Sequence, residues 1–465
     1  MKLYNTLTKQ VDEFKPLNPG QITMYSCGPT VYDHIHIGNL RAFIAADSLR
    51  RAFDKTPVKH VMNFTDIDDK TIARSAQKYP EDSAEEALSK LTRNYEAIFL
   101  EDMEAIGNDT AAMTFVRATE SIQQMQQLII DLYKKKIAYI ADDGVYFSIK
   151  AYQAEGKKYG QLLKLVAGNT SEARIDNDEY DKESVHDFAL WKAQRGNEPA
   201  WDLELDGHNL LGRPGWHIEC SAMSCANLGQ PFDIHTGGID LVFPHHENEI
   251  AQSTALQDNY ANYFVHNEHL LVEGRKMSKS LNNFFTLQDV EERDFSPLAF
   301  RVLVLQAHYR NQLNFSWESL EAAQNRLQSF YDMAALQWQT HDASVEAPIF
   351  SELTEQLREL AQDDLDTPQM MAEISKVAKM MELNGLAKKD LVSFKDYLTT
   401  TDNLLGLNLA KQPDIDTSQK ELLVARQKAR DSKDWARTDE IRTELAQQSV
   451  TVRDTPTGQI WSRQI

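Results

Sequence analysis

The apolar positions first recur with a period of two. From Gln21 to Cys27 they alternate with polar residues and then meet Gly28-Pro29, which predicts a strand running into a turn. From Gly38 to Phe53 the spacing changes. Leu40, Phe43, Ile44, Leu49 and Phe53 recur as on one face of a helix. Val58 to Phe64 reads as a second strand. Strand, helix and strand in this order form a βαβ unit, and such units build parallel sheets with ligand sites at the strand ends. Thr119 to Lys136 predicts a long amphipathic helix with Ile122, Met125, Leu128, Ile129 and Leu132 as its stripe. Asp142-Asp143-Gly144 then turns into the strand Val145–Ile149. The fold class expected is α/β, with a Rossmann-like parallel sheet.

The pattern also divides the chain. Residues 1–150 form the first half of the sheet domain. Residues 151–199 are polar and rich in Gly, Asn, Asp and Lys, including Asp176-Asn177-Asp178-Glu179-Tyr180-Asp181, and read as an insertion. Short strands and helices resume over 200–262. Segment 263–300 follows, then a helical bundle over 301–411. The stretch Gln412 to Thr417 is acidic and holds Pro and Thr, as a linker does. A small C-terminal module occupies 417–465. No internal repeat or low-complexity tract appears.

Composition narrows the function. With 42% hydrophobic and 26% charged residues in a chain of 465, widespread disorder is excluded. The net charge of −21 excludes a nonspecific polyanion-coating protein, because such binding rests on positive charge. The segment from Lys420 onward differs: nine basic residues against seven acidic give +2, which suits an RNA-contacting module. Three cysteines do not make a disulfide framework. No apolar run approaches the ~18 residues that span a bilayer. The polar residues Lys9, Gln10, Asp12 and Glu13 leave no signal-peptide apolar region. A cytoplasmic location without membrane contact is expected. No dimerisation heptad is seen, so a monomer is expected.

Two elements carry candidate chemistry. His36-Ile37-Gly38-Asn39 falls where the first strand gives way to a helix. Free amides and the positive dipole end at a helix start attract phosphate, and a glycine lets a ligand approach the backbone. His36 can donate to a phosphoryl oxygen as charge develops there. More than 200 residues later comes Lys276-Met277-Ser278-Lys279-Ser280, a cationic loop suited to neutralising a leaving pyrophosphate. Alone, either element reads as a loop decoration; the ordered pair points to an adenylate-forming site.

This pair resembles the signatures of class I aminoacyl-tRNA synthetases. Further segments resemble the cysteinyl-tRNA synthetase family: Tyr25-Ser26-Cys27-Gly28-Pro29-Thr30-Val31-Tyr32-Asp33, Asn63-Phe64-Thr65-Asp66-Ile67-Asp68-Asp69-Lys70, Gly215-Trp216-His217-Ile218-Glu219-Cys220-Ser221-Ala222-Met223 and Phe243-Pro244-His245-His246-Glu247-Asn248-Glu249. The resemblance covers almost the whole chain. It implies a ligase that uses ATP with Mg²⁺ to activate L-cysteine and transfers it to cysteine tRNA. Segment 151–199 would then be the connective peptide, 263–300 a stem-contact region and 417–465 the anticodon-binding module. The sequence departs from the family at Asn39, where a second histidine often sits, at Thr236, often glycine, and at Asn282-Asn283, usually Gly-Asn.

Site residues follow from the resemblance. His245 and Glu249 are spaced i,i+4 and share a helix face, while Ile250 breaks any His-Glu-x-x-His pattern. The family implies that Cys27, Cys220, His245 and Glu249 hold zinc; Cys225 reads as core. Zinc favours a thiolate over a neutral hydroxyl, which suits selection of cysteine over serine. His36, Lys276 and Lys279 are the catalytic candidates. Gly38, Asn39, Gly237 and Gly238 join His36 and Lys279 around ATP. Gly28, Thr65, Trp216 and Asp240 are the amino-acid-site candidates. Trp435 and Arg430 are the tRNA-contact candidates, with Trp435 either stacking on bases or packing against Leu422, Leu423, Ile441 and Leu445. Two other readings remain: an amine-directed cysteine ligase on the same scaffold, and a non-catalytic tRNA-binding paralogue.

Overall fold

A computed structural model describes residues 1–162, 187–277, 283–342, 348–456 and 458–464. A short hairpin, β1 (Lys2–Asn5) and β2 (Gln10–Glu13), leads into β3 (Ile22–Ser26), α1 (Ile37–Ala52) and β4 (Val58–Phe64). Helices α2 (Asp69–Lys78) and α3 (Ala84–Ala105) then cross to β5 (Met113–Arg117). Each begins with a reciprocal side-chain cap, Asp68 with Thr71 and Ser83 with Glu86. Next come α4 (Ile122–Lys134), β6 (Ala138–Ala141), β7 (Gly144–Phe147), α5 (Ile149–Ala154), β8 (Phe188–Ala193), β9 (Trp201–Leu205) and β10 (His208–Pro214). Helix α6 (Trp216–Leu228), β11 (Phe232–Gly238), α7 (Glu247–Thr254) and β12 (Ala261–Asn267) follow.

The central sheet has the order β12-β11-β3-β4-β5, and every pair is parallel. The chain leaves β3 toward β4 on one side, while β11 flanks it on the other. Strand order therefore reverses between β3 and β11, and a crevice opens beyond their C-terminal ends. The stripe expected on α1 is the buried one: Leu40, Phe43, Ile44 and Leu49 face the core.

A second, antiparallel sheet has the order β6-β7-β8-β10-β9. Its strands run from Ala138 to Pro214, beyond the 151–199 expected for an insertion. Period-two alternation identifies a strand without saying which sheet it joins, so Val145–Phe147 and the residues after Pro199 had been grouped with the parallel sheet. The polar run Asp176–Asp181 lies outside the described residues.

Strands β13 (Leu270–Val272) and β14 (Arg275–Lys276) form a hairpin, and β13 also pairs with β15 (Leu313–Phe315). The helical part holds α8 (Leu287–Glu291), α9 (Pro297–Leu305), α10 (Trp317–Ala335), α11 (Phe350–Gln362), α12 (Thr367–Asn384) and α13 (Leu391–Leu405), with β16 (Thr340–His341) beside β17 (Leu386–Ala387). A small terminal unit of α14 (Thr417–Asp431), α15 (Trp435–Ala446), β18 (Val450–Thr455) and β19 (Gly458–Arg463) packs on Ile441, Leu445, Val450, Val452 and Trp461. Among the described residues, no helix is long and apolar enough to cross a membrane.

A buried ionic network joins the sheet domain to the bundle. Arg301 of α9 has no exposed surface and donates to Asp47 Oδ2 on α1 at 2.6 Å, to Asn108 Oδ1 at 2.6 Å and to the Ile106 and Leu405 carbonyls. Arg50 and Arg51 also donate to Asp47, at 2.9 and 2.6 Å. Burial alone would raise the Asp47 pKa, but these three guanidiniums hold it well below the usual carboxylate range. Removing one partner of a buried pair strands the other charge, at a cost of about 3–5 kcal/mol. Asp47→Ala is therefore expected to lower the unfolding free energy by about that amount, read from the denaturant midpoint, whereas replacing the exposed Asp363, paired with Lys2, should cost well under ~1 kcal/mol.

Candidate active site and metal centre

The crevice between β3 and β11 holds a cavity of about 360 Å³. Its lining brings together Cys27, Gly28, His36, Gly38, Asn39, Gly237, Gly238, Asp240 and Lys276, nine of the residues singled out in the sequence. Lys279 lies outside the described residues. Tyr32, Asp33, Glu268, His269 and Phe284 also line it, although no periodicity marked them.

His36 is the N-cap of α1, and its Nδ1 accepts from the Asn39 amide at 3.2 Å. An imidazole whose Nδ1 accepts carries its neutral-form proton on Nε2, which makes that atom a donor. Phe284 meets the ring edge-on at 5.1 Å. A Cβ on Gly38 would lie 2.8 Å from this ring, so the close approach requires glycine. Gly28 is tighter still: a Cβ there would come within 1.7 Å of the Asn63 carbonyl oxygen. Its amide donates to Asn63 Oδ1 at 2.8 Å. Thr236, the residue differing from the family's glycine, shares a 2.7 Å hydrogen bond with Ser26, whose hydroxyl also meets His60 Nε2 at 2.7 Å. The hydroxyl thus fastens β11 to β3 beneath the crevice.

Cys27 lines the cavity and also belongs to a buried cluster behind it. Cys27 comes from the end of β3, Cys220 from α6, His245 from the turn before α7 and Glu249 from α7. Their ligating atoms all lie within 4.8 Å of one another. The Sγ atoms of Cys27 and Cys220 are 3.7 Å apart, Cys27 Sγ is 3.7 Å from Glu249 Oε1, and His245 Nε2 is 3.1 Å from the same oxygen. A tetrahedral ion with ~2.3 Å bonds to sulfur holds two sulfurs about 3.8 Å apart, so the spacing and donor types fit zinc. Surrounding groups fix the outer atoms. Tyr260 OH donates to Glu249 Oε2 at 2.7 Å, His235 Nε2 lies 2.8 Å from it, and His217 Nδ1 is 2.9 Å from His245 Nδ1. Burial pushes the Cys27 thiol up. At Cys220 burial acts the same way, but the hydrogen bond with Cys27 and the nearby His245 bring it down to about 6.

A second group, Cys27, His235, His246 and Glu249, shares two of these residues. His246 Nε2 lies 3.3 Å from Cys27 Sγ, and its Nδ1 is 2.8 Å from His266 Nε2. Sequence reading had not marked His246 or His266 for this centre. Strand β12 is buried on both faces from Tyr263 to Asn267, so no alternation singles out His266.

Other expected residues lie around the cavity rather than on it. Thr65 is buried and donates to Glu219 Oε2 at 2.9 Å, while its amide and carbonyl pair with Pro29 and Val31. It holds the Gly28–Val31 turn and is not part of the cavity lining. Trp216 stacks on His245 at 4.2 Å and stays 38% exposed, also off the lining. Cys225 is half-buried against the core, with its thiol on Gln230. In the tail, Trp435 opens α15 and is 59% exposed, so its packing alternative falls; Trp461, at 6%, is the core tryptophan. Arg430 is ion-paired with Asp454.

A parallel sheet whose helix start and cationic hairpin face one crevice at the strand-order reversal is the architecture of class I aminoacyl-tRNA synthetases, the class whose catalytic-domain model this chain matches. Solved synthetases share this fold. Methionyl-tRNA synthetase from Mycobacterium tuberculosis, solved with methionyl-adenylate, matches with a TM-score of 0.58 at 12% identity, over 84% of this chain and 93% of its own. A leucyl-tRNA synthetase–tRNA complex from Agrobacterium radiobacter matches at 0.59 and 11%, over 86% of both. Residues 13–325 match the class I (C) tRNA synthetase catalytic domain, and residues 412–461 match the cysteinyl-tRNA ligase anticodon binding domain. Cysteine–tRNA ligases of Lactobacillus delbrueckii and Leptospira interrogans are 39% and 36% identical, each over 100% of this chain and 100% and 99% of their own. The chain belongs to the cysteine–tRNA ligase family, whose members are aminoacyl-tRNA-forming enzymes.

His60 supplies a pH test of the fold beneath this site. Burial, with Arg50 next, pushes its imidazole down to about 3. An unfolded histidine titrates near 6.5. The contribution of neutral His60 is thus complete above about pH 6.5 and is lost as pH falls toward about 3. Unfolding free energy should fall more steeply over that range in the wild type than in His60→Gln, measured by denaturant titration at each pH.

Proposed function

We propose that the chain joins L-cysteine to the 3′ end of cysteine tRNA, with a zinc ion held by Cys27, Cys220, His245 and Glu249 selecting the thiol. The observation that carries this reading is the meeting of these four side chains, from three distant segments, behind a cavity that Cys27 lines together with His36 and Lys276.

The cysteine carboxylate attacks the α-phosphorus of ATP–Mg²⁺. A carboxylate O–P bond forms and the bond to pyrophosphate breaks, giving the cysteinyl adenylate. His36 Nε2–H and the first amides of α1 stabilise charge on the α-phosphoryl oxygens. Lys276, with Lys279, neutralises the departing pyrophosphate. Gly38, Asn39, Gly237 and Gly238 allow the nucleotide close to the backbone, and Asp240 holds the amino acid's ammonium or a ribose hydroxyl. The terminal ribose hydroxyl of the tRNA then attacks the mixed anhydride and releases AMP. No side-chain nucleophile takes part; the residues position and stabilise charge.

Serine differs from cysteine by one atom, and a pocket of fixed shape discriminates such a pair by only ~1–3 kcal/mol. When bound, zinc supplies affinity for a thiolate that a neutral hydroxyl lacks. Trp216 braces His245, and Gly28 and Thr65 fix the backbone leading from Cys27. Segment 151–199 supplies part of the connecting sheet, 263–300 carries the lysine loop, and the 417–465 module meets the anticodon through Trp435 and the basic face near Arg430. The anticodon-domain match over 412–461 weighs against an amine-directed ligase, and intact signatures weigh against a non-catalytic paralogue.

ATP–pyrophosphate exchange tests the activation step. The wild type should contain about one zinc per chain and exchange with cysteine but not with serine. Cys220→Ala should lose zinc by elemental analysis and lose at least ~100-fold in exchange, about 2.7 kcal/mol. A zinc-free protein that still activates cysteine selectively would overturn this account of specificity.

A further inference from the structure

Helix α2 carries a cationic stripe. Lys70, Arg74 and Lys78 recur at i, i+4 and i+8 and all are exposed, while Thr71 and Ser75 face inward. None of the three makes a salt bridge among the described residues, although Lys70 lies near enough to Asp68 to act on its charge, in a chain whose net charge is −21. Neighbouring acids are engaged: Asp68 caps the helix, Asp69 pairs with Lys192 and Arg213, and Asp82 pairs with Lys90. Glu81 and Glu85 stand beyond the far end of the stripe.

The stripe lies beside the active-site cavity without lining it. Helix α2 starts just after the C-terminal end of β4, on the edge of the sheet where the cavity opens. At its other end the Lys78 ammonium lies 5.2 Å over the Tyr95 ring, which meets the cavity-lining His34 edge-on at 5.6 Å. Asp69 ties the first turn to strands β8 and β10 through Lys192 and Arg213. Four residues of helix advance about 6 Å, so the three cations stand in a row ~12 Å long, on the scale of successive phosphates of one nucleic-acid strand.

We propose that Lys70, Arg74 and Lys78 form the surface that holds the phosphate backbone of the RNA acceptor end at the mouth of the active site. This rests on the reading of the chain as a tRNA-charging enzyme. The partner is RNA because the stripe offers regularly spaced positive charge, and a net-negative protein must meet a polyanion through such a local patch.

The triple variant Lys70→Ala, Arg74→Ala and Lys78→Ala tests it in the full chain, alanine being the best helix former. Cysteine-dependent ATP–pyrophosphate exchange should stay within about twofold, because activation precedes RNA attack. The KM for a cysteine tRNA transcript should rise at least ~10-fold, and the slope of log affinity against log salt should shrink by about 2. Lys70→Arg with Lys78→Arg should keep the wild-type KM. Unchanged tRNA KM and salt slope in the triple variant overturn the proposal, as does equal loss of exchange and charging. Absence of exchange in the wild type sinks the enzymatic reading itself, a separate outcome.

Discussion

Desolvation of one cluster sets the terms for the rest of the molecule. The Cys220 thiol, two carboxylate oxygens and a set of imidazoles around Glu249 are shut away from water, with Cys27 between them and the cavity, and an unpaired charge there would be costly. The fold answers with opposite charge and donated protons. Burial alone would raise the Glu249 pKa, but His235 and His245, with hydrogen bonds from His235 and Tyr260, hold it down. Strand β3 ends here, β11 passes it at His235, and helices α6 and α7 begin here, which constrains the register of the parallel sheet and the position of the cavity in front of it.

Helix α1 ties that centre to the remainder of the chain. Its first turn presents His36 and free amides to the cavity. Midway, the buried Arg41 donates to the carbonyls of His269 and Asn311, next to the hairpin that carries Lys276. Its last turn delivers Asp47, Arg50 and Arg51 into the Arg301 network. One rigid rod therefore positions the His36 end of the cavity relative to both the lysine hairpin and the helical bundle. Buried ion pairs contribute specificity of docking more than net stability here, since their desolvation offsets much of the attraction.

Local pattern and long-range outcome part company at identifiable residues. The stripe of α1, the strands β3 and β4, the phosphate-type turn at His36 and the cationic pentapeptide were legible because short-range periodicity and spacing encode them. The width of the antiparallel sheet was not, because short strands such as β6, β7, β9 and β10 carry no local mark of which sheet they join, and only pairing assigns them. Trp435 and Trp461 show the same limit. Both sit among arginines, yet one is exposed at a helix start and the other closes a small core, a difference set by where β19 folds back.

By itself, the order of residues determined the chemistry on offer: which groups can ligate, donate or neutralise, and which helices and strands carry them. Residue type and local spacing are properties of the chain alone. Tertiary structure decided which of those groups meet. It placed Cys27 within reach of Cys220 and of His246, which is 219 residues away along the chain, and it set Thr65 and Trp216 off the cavity wall in supporting positions. The physical reason is that such encounters are set by the packing of distant elements, where burial and charge compensation act over space and not along sequence.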